Sequence, residues 1–264
     1  ATWQWNSAGK TLVSTTTGIA QQEGLLNINN KVSQYLGNGW TSEPLEKEKL
    51  ITPRHLLTMT SGLNDESNWV IKSNLTYLAD AGTRWSYSNV FQKLIDVVAA
   101  SSNQTFENYF NAKLKNKIGM DGFWNFGTIF TIYHSNTRSM ARFGLLFLNK
   151  GKWKNEQIIN ESYLNEAIST SQNINPSYGY LWWLNGKSKY MVPGSQTVYP
   201  TALVPNAPAD MYAAMGAEDQ RIYVIPSKNM VVIRMGDASD PQNPNFALSG
   251  FDAALWDKIN ALMK

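Results

Sequence analysis

The order of hydrophobic patterns along the chain constrains its fold most strongly. Helical periodicity dominates the first part of the 264 residues, and strand-like segments follow near the end. These segments run from Tyr212 to Met215, from Arg221 to Ile225 and from Met230 to Met235, and a final helical pattern covers about Ala247 to Met263. Helices that precede strands and a closing helix predict an α+β fold, in which helices flank an antiparallel sheet.

Four helices are predicted before the strands. The first runs from Ser7 to about Gln22, with Asn6 or Ser7 as its cap and Gly24 at its end. Its interior is rich in Thr and Val, which are mediocre helix formers, so we expect burial on all sides to stabilise it. The other three begin at Thr52-Pro53, Val90 and Ser139 and end near Ser61-Gly62, Ser101 and Lys150.

The predicted sheet is thin for so many helices. Three strands leave a hydrophobic edge unpaired, and such an edge invites aggregation. No linker divides the chain, so we predict a single domain over residues 1–264, with a mostly helical subregion at about 25–140. The final helix is expected to turn one face to the core, made up of Phe251, Ala254, Leu255, Ile259 and Leu262.

Composition excludes several kinds of function. The absence of cysteine excludes disulfides, thiolate metal sites and cysteine nucleophiles, and two histidines leave little material for a metal centre. The 23 basic and 20 acidic residues are scattered, which argues against a nucleic-acid partner. No apolar stretch approaches the roughly 20 residues that cross a bilayer. Hydrolytic chemistry would therefore use hydroxyls, amines and carboxylates.

Ser7 and Lys10 form the first candidate catalytic pair. They stand three residues apart at a helix start, so both side chains lie on one face within hydrogen-bonding reach. A serine becomes a strong nucleophile when a base takes its proton, and a partly buried lysine can have a pKa low enough to help. The helix N-terminus also favours a developing alkoxide. A capping serine beside a solvated lysine is the alternative, because Ser-x-x-Lys is common by chance.

Tyr87 belongs to a second candidate element. The segment Tyr87-Ser88-Asn89 supplies a phenol and an amide from one short loop before the third helix. A phenolate that a nearby ammonium stabilises can carry protons between nucleophile and leaving group. A tyrosine packed on the domain surface is the alternative.

These segments and several others together resemble a known superfamily. They are Asn6 to Leu12, Gly18 to Gly24, Thr52 to Leu63, Gly82 to Asn89, Met140 to Leu146, Tyr178 to Trp183 and Gly216 to Pro226. Their order and spacing are similar to those of the serine β-lactamases and penicillin-binding proteins. The class C-like branch, which includes esterases and 6-aminohexanoate-dimer hydrolases, is the most similar. The resemblance covers nearly the whole chain and implies a β-lactamase/transpeptidase-like α+β fold with a mostly helical inserted region.

The resemblance implies an acyl-enzyme mechanism. Ser7 would be acylated by an ester, amide or peptide substrate, Lys10 and Tyr87 would relay protons, and water would release the acyl group. No metal or organic cofactor is implied. Family members usually act outside the bacterial cytoplasm, so a periplasmic or secreted location is expected, with a cytoplasmic one as the alternative. They also have a helix and two strands before the nucleophile, so we expect a segment of a longer precursor before Ala1.

The predicted oxyanion strand departs from the family pattern. By the resemblance, Asn89 would contact substrate or the lysine, and the N–H groups of Ser7 and of Ala217, which follows Gly216, would bind the oxyanion. Many members carry Lys-Thr-Gly or His-Thr-Gly on this strand, whereas here Ala214-Met215-Gly216 precedes an acidic pair. The cation that would hold a substrate carboxylate is absent, which favours ester or amide hydrolysis over β-lactam hydrolysis.

Two other functions stay open. One is a penicillin-binding protein or β-lactamase that acts on β-lactams or peptidoglycan peptides, and the other is a catalytically silent binding protein. A Ser-His-Asp triad has no Gly-x-Ser-x-Gly motif to support it, and His55 is expected to pack or cap a helix. Five tryptophans flank the candidate segments and either wall the site or fill the core: Trp3, Trp5, Trp85, Trp182 and Trp183.

Overall fold

The structure is a computed structural model that describes residues 1–242 and 247–263. Its α-helices are α1 Lys10–Gln22, α2 Ser33–Leu36, α3 Leu45–Glu48, α4 Pro53–Leu57, α5 Lys93–Ser102, α6 Phe106–Phe110, α7 Asn116–Ile118, α8 Thr137–Leu148, α9 Glu161–Ala167 and α10 Gly250–Leu262. Its strands are β1 Trp3–Gln4, β2 Phe123–Asn125, β3 Ile132–Ser135, β4 Lys152–Trp153, β5 Glu156–Gln157, β6 Trp183–Leu184, β7 Tyr212–Gly216, β8 Gln220–Ile225 and β9 Met230–Arg234. Short 3-10 helices cover Asn6–Gly9, Lys72–Asn74, Asn89–Gln92, Ala217–Asp219 and Pro226–Lys228, and Asn111–Lys115 is π-helical.

The main sheet is antiparallel and has the strand order β6-β7-β8-β9. Its last three strands match the three predicted segments, and the two-residue strand β6 adds the edge beside β7. A second antiparallel sheet, with the order β1-β3-β2, is built from short strands that the sequence analysis missed. The predicted α+β class, with helices around an antiparallel sheet, is confirmed.

Helix α1 lies in the middle of the molecule. All its residues from Lys10 to Ala20 are buried, and it packs against α5 and α9. Three consecutive threonine hydroxyls, at residues 15–17, donate to carbonyls four residues earlier at 2.7–2.9 Å, so these polar side chains are satisfied inside the helix itself. The predicted burial is confirmed, and Gly24 adopts φ 73° where the helix ends.

The predicted N-terminal cap of this helix was wrong. A 3-10 turn, Asn6–Gly9, precedes α1, and no side chain caps either segment. Asn6 instead has a left-handed φ of 49° and donates its amide to the Ala217 carbonyl at 3.0 Å. Asparagine tolerates this backbone conformation better than most residues. The same side chain therefore connects the helix start to the strand loop.

Two other helices differ from their predicted bounds. Thr52 caps α4 and Pro53 begins it, as predicted, but the helix ends at Leu57 rather than at Ser61-Gly62. Met59 takes a left-handed φ of 59°, which no helix can continue through. The third predicted helix divides into a 3-10 turn at Asn89–Gln92 and then α5.

The predicted core face of α10 was right only in part, because Leu255 and Ile259 pack against the core but other predicted residues do not. Leu262 is 86% exposed and Ala254 is exposed, whereas Trp256 is fully buried. Asp252, one turn before Trp256, is buried as well and binds Arg221 of β8. The ionic contact of Asp252 and the burial of Trp256 therefore determine how the helix is rotated about its axis. Hydrophobic spacing alone does not predict this rotation.

No helix in residues 1–242 or 247–263 combines the length and apolar character that a bilayer crossing requires. The single domain over residues 1–264 and its helical subregion at about 25–140 stay predictions.

Candidate active site

The segment that carries Ser7 is anchored on β3. Trp5 is fully buried, its backbone N–H donates to the Tyr133 carbonyl at 2.8 Å, and its indole N–H donates to the Ser135 hydroxyl at 2.6 Å. Its ring also meets Tyr133 edge-on, with centroids 5.4 Å apart. Ser7 follows two residues later, so packing fixes the position of its backbone.

Ser7 and Lys10 are in direct contact. The Lys10 ammonium donates to the Ser7 hydroxyl at 2.8 Å, and the lysine is only 7% exposed. Its Nζ lies 4.7 Å from the ring centroid of Tyr87 and 4.6 Å from that of Phe91. Among the described residues, no carboxylate pairs with this lysine. Burial therefore lowers the pKa of Lys10 from 10.5 to about 7.

Tyr87 is the third side chain of this group, beside Ser7 and Lys10. Its ring stacks on Trp183 at 5.6 Å and meets Tyr178 edge-on at 6.1 Å, which sets its orientation. The phenol lies beside the Ser7 side chain. Burial raises the pKa of Tyr87, while the neighbouring Ser7 hydroxyl and the positive charge of Arg221 oppose the shift. The phenol accordingly keeps its proton at neutral pH.

The end of β7 passes close to the Ser7 backbone. A β-carbon added to Gly216 would lie 2.4 Å from the Trp5 carbonyl oxygen and 3.1 Å from the Ser7 nitrogen. Ala217 follows, and its carbonyl accepts the Asn6 amide. Glycine at position 216 therefore allows the strand edge to approach the serine. The backbone at Ala217 therefore lies close to that of Ser7, the other predicted oxyanion donor.

Asn89 lines the same region but is engaged elsewhere. Its side-chain nitrogen donates to the carbonyls of Asn68 and Ile129, at 3.1 and 2.9 Å. Both amide hydrogens are thus used to hold two loops together. The side-chain oxygen of Asn89 is the part that is left to meet a substrate.

Two clefts meet at Ser7. The larger has a volume of about 530 Å³ and the smaller of about 260 Å³, and the four residues common to their walls are Ser7, Lys10, Asn89 and Phe130. Tyr87 lines the larger cleft, and Ala217 and Glu218 line the smaller. A carbonyl group placed at Ser7 could therefore extend one substituent into each cleft.

The charges around the clefts do not favour an anionic ligand. Arg84 lines the larger cleft, but Asp65 pairs with it at 2.9 Å. Glu66 lines the same cleft, and Glu218 lines the smaller one. Asp219, the other acidic residue of the predicted strand loop, instead binds the Ser239 hydroxyl and is buried.

The histidines and tryptophans have structural positions. His55 receives the Thr52 backbone N–H on Nδ1 at 3.1 Å, as part of a capping box at α4, and His134 stacks on Phe123 at 5.1 Å. Trp3 is partly buried and the other four are fully buried, and none of the five lines either cleft: Trp3, Trp5, Trp85, Trp182 and Trp183. Of the two alternatives left open for these tryptophans, the structure supports the one in which they fill the core.

Four residues of the site were missed or misread from the sequence. Phe91 contacts the lysine, Phe130 lines both clefts, and Asn6 holds the Ala217 carbonyl. Arg221 donates to the Gly216 carbonyl at 2.7 Å. A charged residue inside the apolar strand Gln220–Ile225 was the one available signal for Arg221.

Comparisons with known proteins identify a family for the sequence and similar folds for the structure. The family model described as Beta-lactamase matches residues 2–249. A β-lactamase structure from Mycobacterium bovis has a TM-score of 0.71 at 20% identity, covering 99% of this chain and 87% of that one. A family VIII carboxylesterase gives 0.70 at 13%, covering 98% and 83%. A penicillin-binding protein homologue from Caulobacter crescentus gives 0.73 at 10%, covering 99% and 83%.

A comparison with curated protein sequences found no match. At such low identities the three structural likenesses establish the fold, and the predicted β-lactamase/transpeptidase-like architecture is confirmed. The family match extends over nearly the whole chain. The protein belongs to the β-lactamase family.

Proposed function

We propose that the protein is a serine hydrolase that cleaves an ester or amide bond through an acyl-enzyme on Ser7. The observation that carries the proposal is the 2.8 Å contact between the Lys10 ammonium nitrogen and the Ser7 hydroxyl. The lysine is buried and has no carboxylate partner within residues 1–242 and 247–263. A lysine paired with a carboxylate would keep its proton, whereas this one can lose it near neutral pH.

The proton path follows from the two ionisable groups. Neutral Lys10 would take the Ser7 hydroxyl proton as the oxygen attacks the carbonyl carbon. Tyr87, which keeps its own proton, would protonate the leaving alcohol or amine as its bond to carbon breaks, and Lys10 would return a proton to the phenolate. Water would then attack the acyl group, with the same residues acting in reverse. The N–H groups of Ser7 and Ala217 would bind the oxyanion in both steps.

The cleft charges support an ester or amide without a nearby carboxylate as the substrate. Of the residues that the structure describes, two cations line the clefts: Lys10, which would work as a base, and Arg84, which Asp65 already holds. A substrate carboxylate placed near Glu66 or Glu218 would be repelled. The second candidate, a penicillin-binding protein or β-lactamase, takes its support from the family match and the penicillin-binding likeness.

The first experiment is hydrolysis of a short series of p-nitrophenyl esters, followed by intact mass after exposure to a fluorophosphonate. We expect turnover and one phosphonyl adduct for the native protein and neither for Ser7→Ala, because the variant lacks the attacking oxygen. Ser14→Ala is a matched control, since Ser14 is buried in α1 away from the clefts. A folded native protein without turnover or adduct would favour the binding-protein alternative, and a stable adduct with labelled penicillin would favour the penicillin-binding one.

The rate should depend on pH through Lys10. Because the amine must be neutral to accept a proton, kcat/KM for a neutral ester is expected to rise as pH increases through about 7 and then to level off. The raised pKa of Tyr87 keeps the phenol protonated over this range, so no loss of activity from its ionisation is expected near neutral pH. A profile measured between pH 5 and 9 checks this, and a rate that is flat across about pH 7 would contradict it.

A further inference from the structure

Arg221 lies under the loop that follows β7. The side chain is fully buried, and its guanidinium binds Asp252 through two nitrogens at 2.7 and 3.0 Å. A third contact joins it to Asp219 at 3.3 Å. Tyr223 donates its hydroxyl to the same Asp252 at 2.5 Å. The arginine is therefore fixed in place by two carboxylates, and its orientation is set by the bidentate pair.

One guanidinium nitrogen, Nη1, binds backbone carbonyls and not a carboxylate. It donates to the Gln220 carbonyl at 3.1 Å and, at the shorter distance of 2.7 Å, to the Gly216 carbonyl. That carbonyl belongs to the same peptide unit as the Ala217 N–H, and none of the described peptide bonds is cis. In a trans peptide the C=O and N–H point in opposite directions. A cation held on the oxygen therefore aims the N–H away from itself.

The following peptide is held as well. The Ala217 carbonyl accepts the Asn6 amide at 3.0 Å, so the carbonyls on both sides of Ala217 are fixed. A donor on a peptide oxygen also polarises the whole unit and strengthens its N–H as a donor, and a charged donor does so more strongly than a neutral one. The contact with Arg221 therefore affects both the direction and the strength of the Ala217 N–H.

We infer that Arg221 is a positioning residue for oxyanion stabilisation, acting through the Gly216–Ala217 peptide. The inference rests on the proposed acyl transfer at Ser7. Arg221 is buried and lines neither cleft, so it would not touch the substrate. Its contribution would be realised in the tetrahedral state, when the carbonyl oxygen carries charge, and not in ground-state binding.

The test compares an ester with its thionoester, in which sulfur replaces the carbonyl oxygen. Sulfur is a poorer hydrogen-bond acceptor, so an enzyme that depends on oxyanion donors prefers the oxygen ester. For Arg221→Lys we expect kcat for the ester to fall about tenfold with KM within about twofold, less than the 10²–10³-fold cost of removing such a donor outright. The ester-to-thionoester ratio of kcat/KM should fall by about as much.

A second variant covers the case in which a lone change at this buried site prevents folding. Arg221→Gln combined with Asp252→Asn removes both charges of the bidentate pair, so Asp252 is not left as a buried charge without its cation. Asp219 also loses Arg221 but keeps its hydrogen bonds from Ser239 and Ser249. The double variant should show the same fall in the ester-to-thionoester ratio. Tyr223→Phe is the matched control, because it removes a hydrogen bond to Asp252 and leaves the contact between Arg221 and Gly216. It should lower stability without changing the ratio.

The outcomes separate the inference from the proposed function. Folded Arg221 variants that lose ester and thionoester activity equally, or that keep the native ratio, would show a merely structural role and overturn the inference alone. A native protein that hydrolyses neither substrate and forms no fluorophosphonate adduct overturns the proposed function and the inference with it.

Discussion

Replacing Lys10 with methionine is expected to lower kcat/KM for ester hydrolysis about 10³-fold, within the range that a general base contributes. Methionine has a similar length and no basic nitrogen, so the Ser7 hydroxyl would lose its 2.8 Å partner without leaving a large void. The rings of Tyr87 and Phe91, which now enclose the ammonium, would enclose a thioether instead. Steady-state kinetics and the rate of fluorophosphonate labelling measure the loss.

The same substitution should make the folded protein more stable. Burial lowers the pKa of Lys10 to about 7 in the folded state, while the unfolded chain keeps a value near 10.5. Below about pH 7 the lysine is charged in both states, and the folded protein carries the full cost of the buried charge. Between pH 7 and 10.5 the folded lysine is neutral, and the cost, which is now that of removing its proton, declines as pH rises towards the pKa of the unfolded chain. The stability advantage of the variant should therefore be constant in acid and shrink as pH rises through this window.

The size of this advantage has an upper limit of about 5 kcal/mol, from the shift in pKa between 10.5 and about 7. Chemical unfolding at pH 6 and pH 9.5 gives the two free energies of unfolding to compare. Lys93→Met is a suitable control, because Lys93 pairs with Asp96 and lines neither cleft at Ser7. It should leave ester kinetics unchanged. A Lys10→Met protein that is less stable than the native one at pH 6, or equally active, would be inconsistent with a buried catalytic base.

Sequence patterns predicted the large elements because their physical signals are local. The strands β7 to β9 are apolar runs divided by turns, and α4 begins at a Thr-Pro capping pattern. Each of these elements can therefore be recognised from a window of about ten residues. Strands β1 and β6 have only two residues each, and they exist because a neighbour pairs with them. No local pattern distinguishes such a segment from a loop.

The site was predictable to a similar extent. Ser7, Lys10 and Tyr87 could be proposed from spacing and resemblance, and the structure places their side chains in contact. Arg221 could not be proposed from the sequence in this way. Its partner Asp219 lies in the turn between β7 and β8, its partner Asp252 lies on the last helix, and only folding brings the three side chains together. The same pairing explains why the core face predicted for α10 was only partly right, with Leu255 and Ile259 packed against the core and Leu262 exposed.

Asn6 illustrates why a polar residue at a helix start can be misread. Asparagine is a favoured cap, and the cap was the natural local interpretation. The structure instead directs its amide across to Ala217, 211 positions away in sequence. A contact of that range is determined by the packing of β7 against the serine segment, and not by propensity.

Because of that packing, we also expect a large loss of activity for the substitution Gly216→Ala. The added methyl group would lie 2.4 Å from the Trp5 carbonyl oxygen and 2.9 Å from the Ala8 nitrogen, both of them backbone atoms that no side-chain rotation can move. The strand end would have to withdraw from the serine segment and displace the Ala217 N–H from the oxyanion. We expect kcat/KM to fall about 10²-fold, in the range found when one oxyanion donor is lost.

The strain should also reduce stability by about 1–3 kcal/mol, as inserted methyl groups do in packed interiors. Gly250→Ala is the matched control, because a methyl group there meets nothing within 4 Å at the start of α10, and it should leave both activity and stability nearly unchanged. Ester kinetics and chemical unfolding of the two variants, made side by side, check the expectation. If Gly216→Ala lost stability and kept full activity, the oxyanion would have to depend on donors other than the Ala217 N–H, because the methyl group cannot be accommodated while that N–H stays where it is.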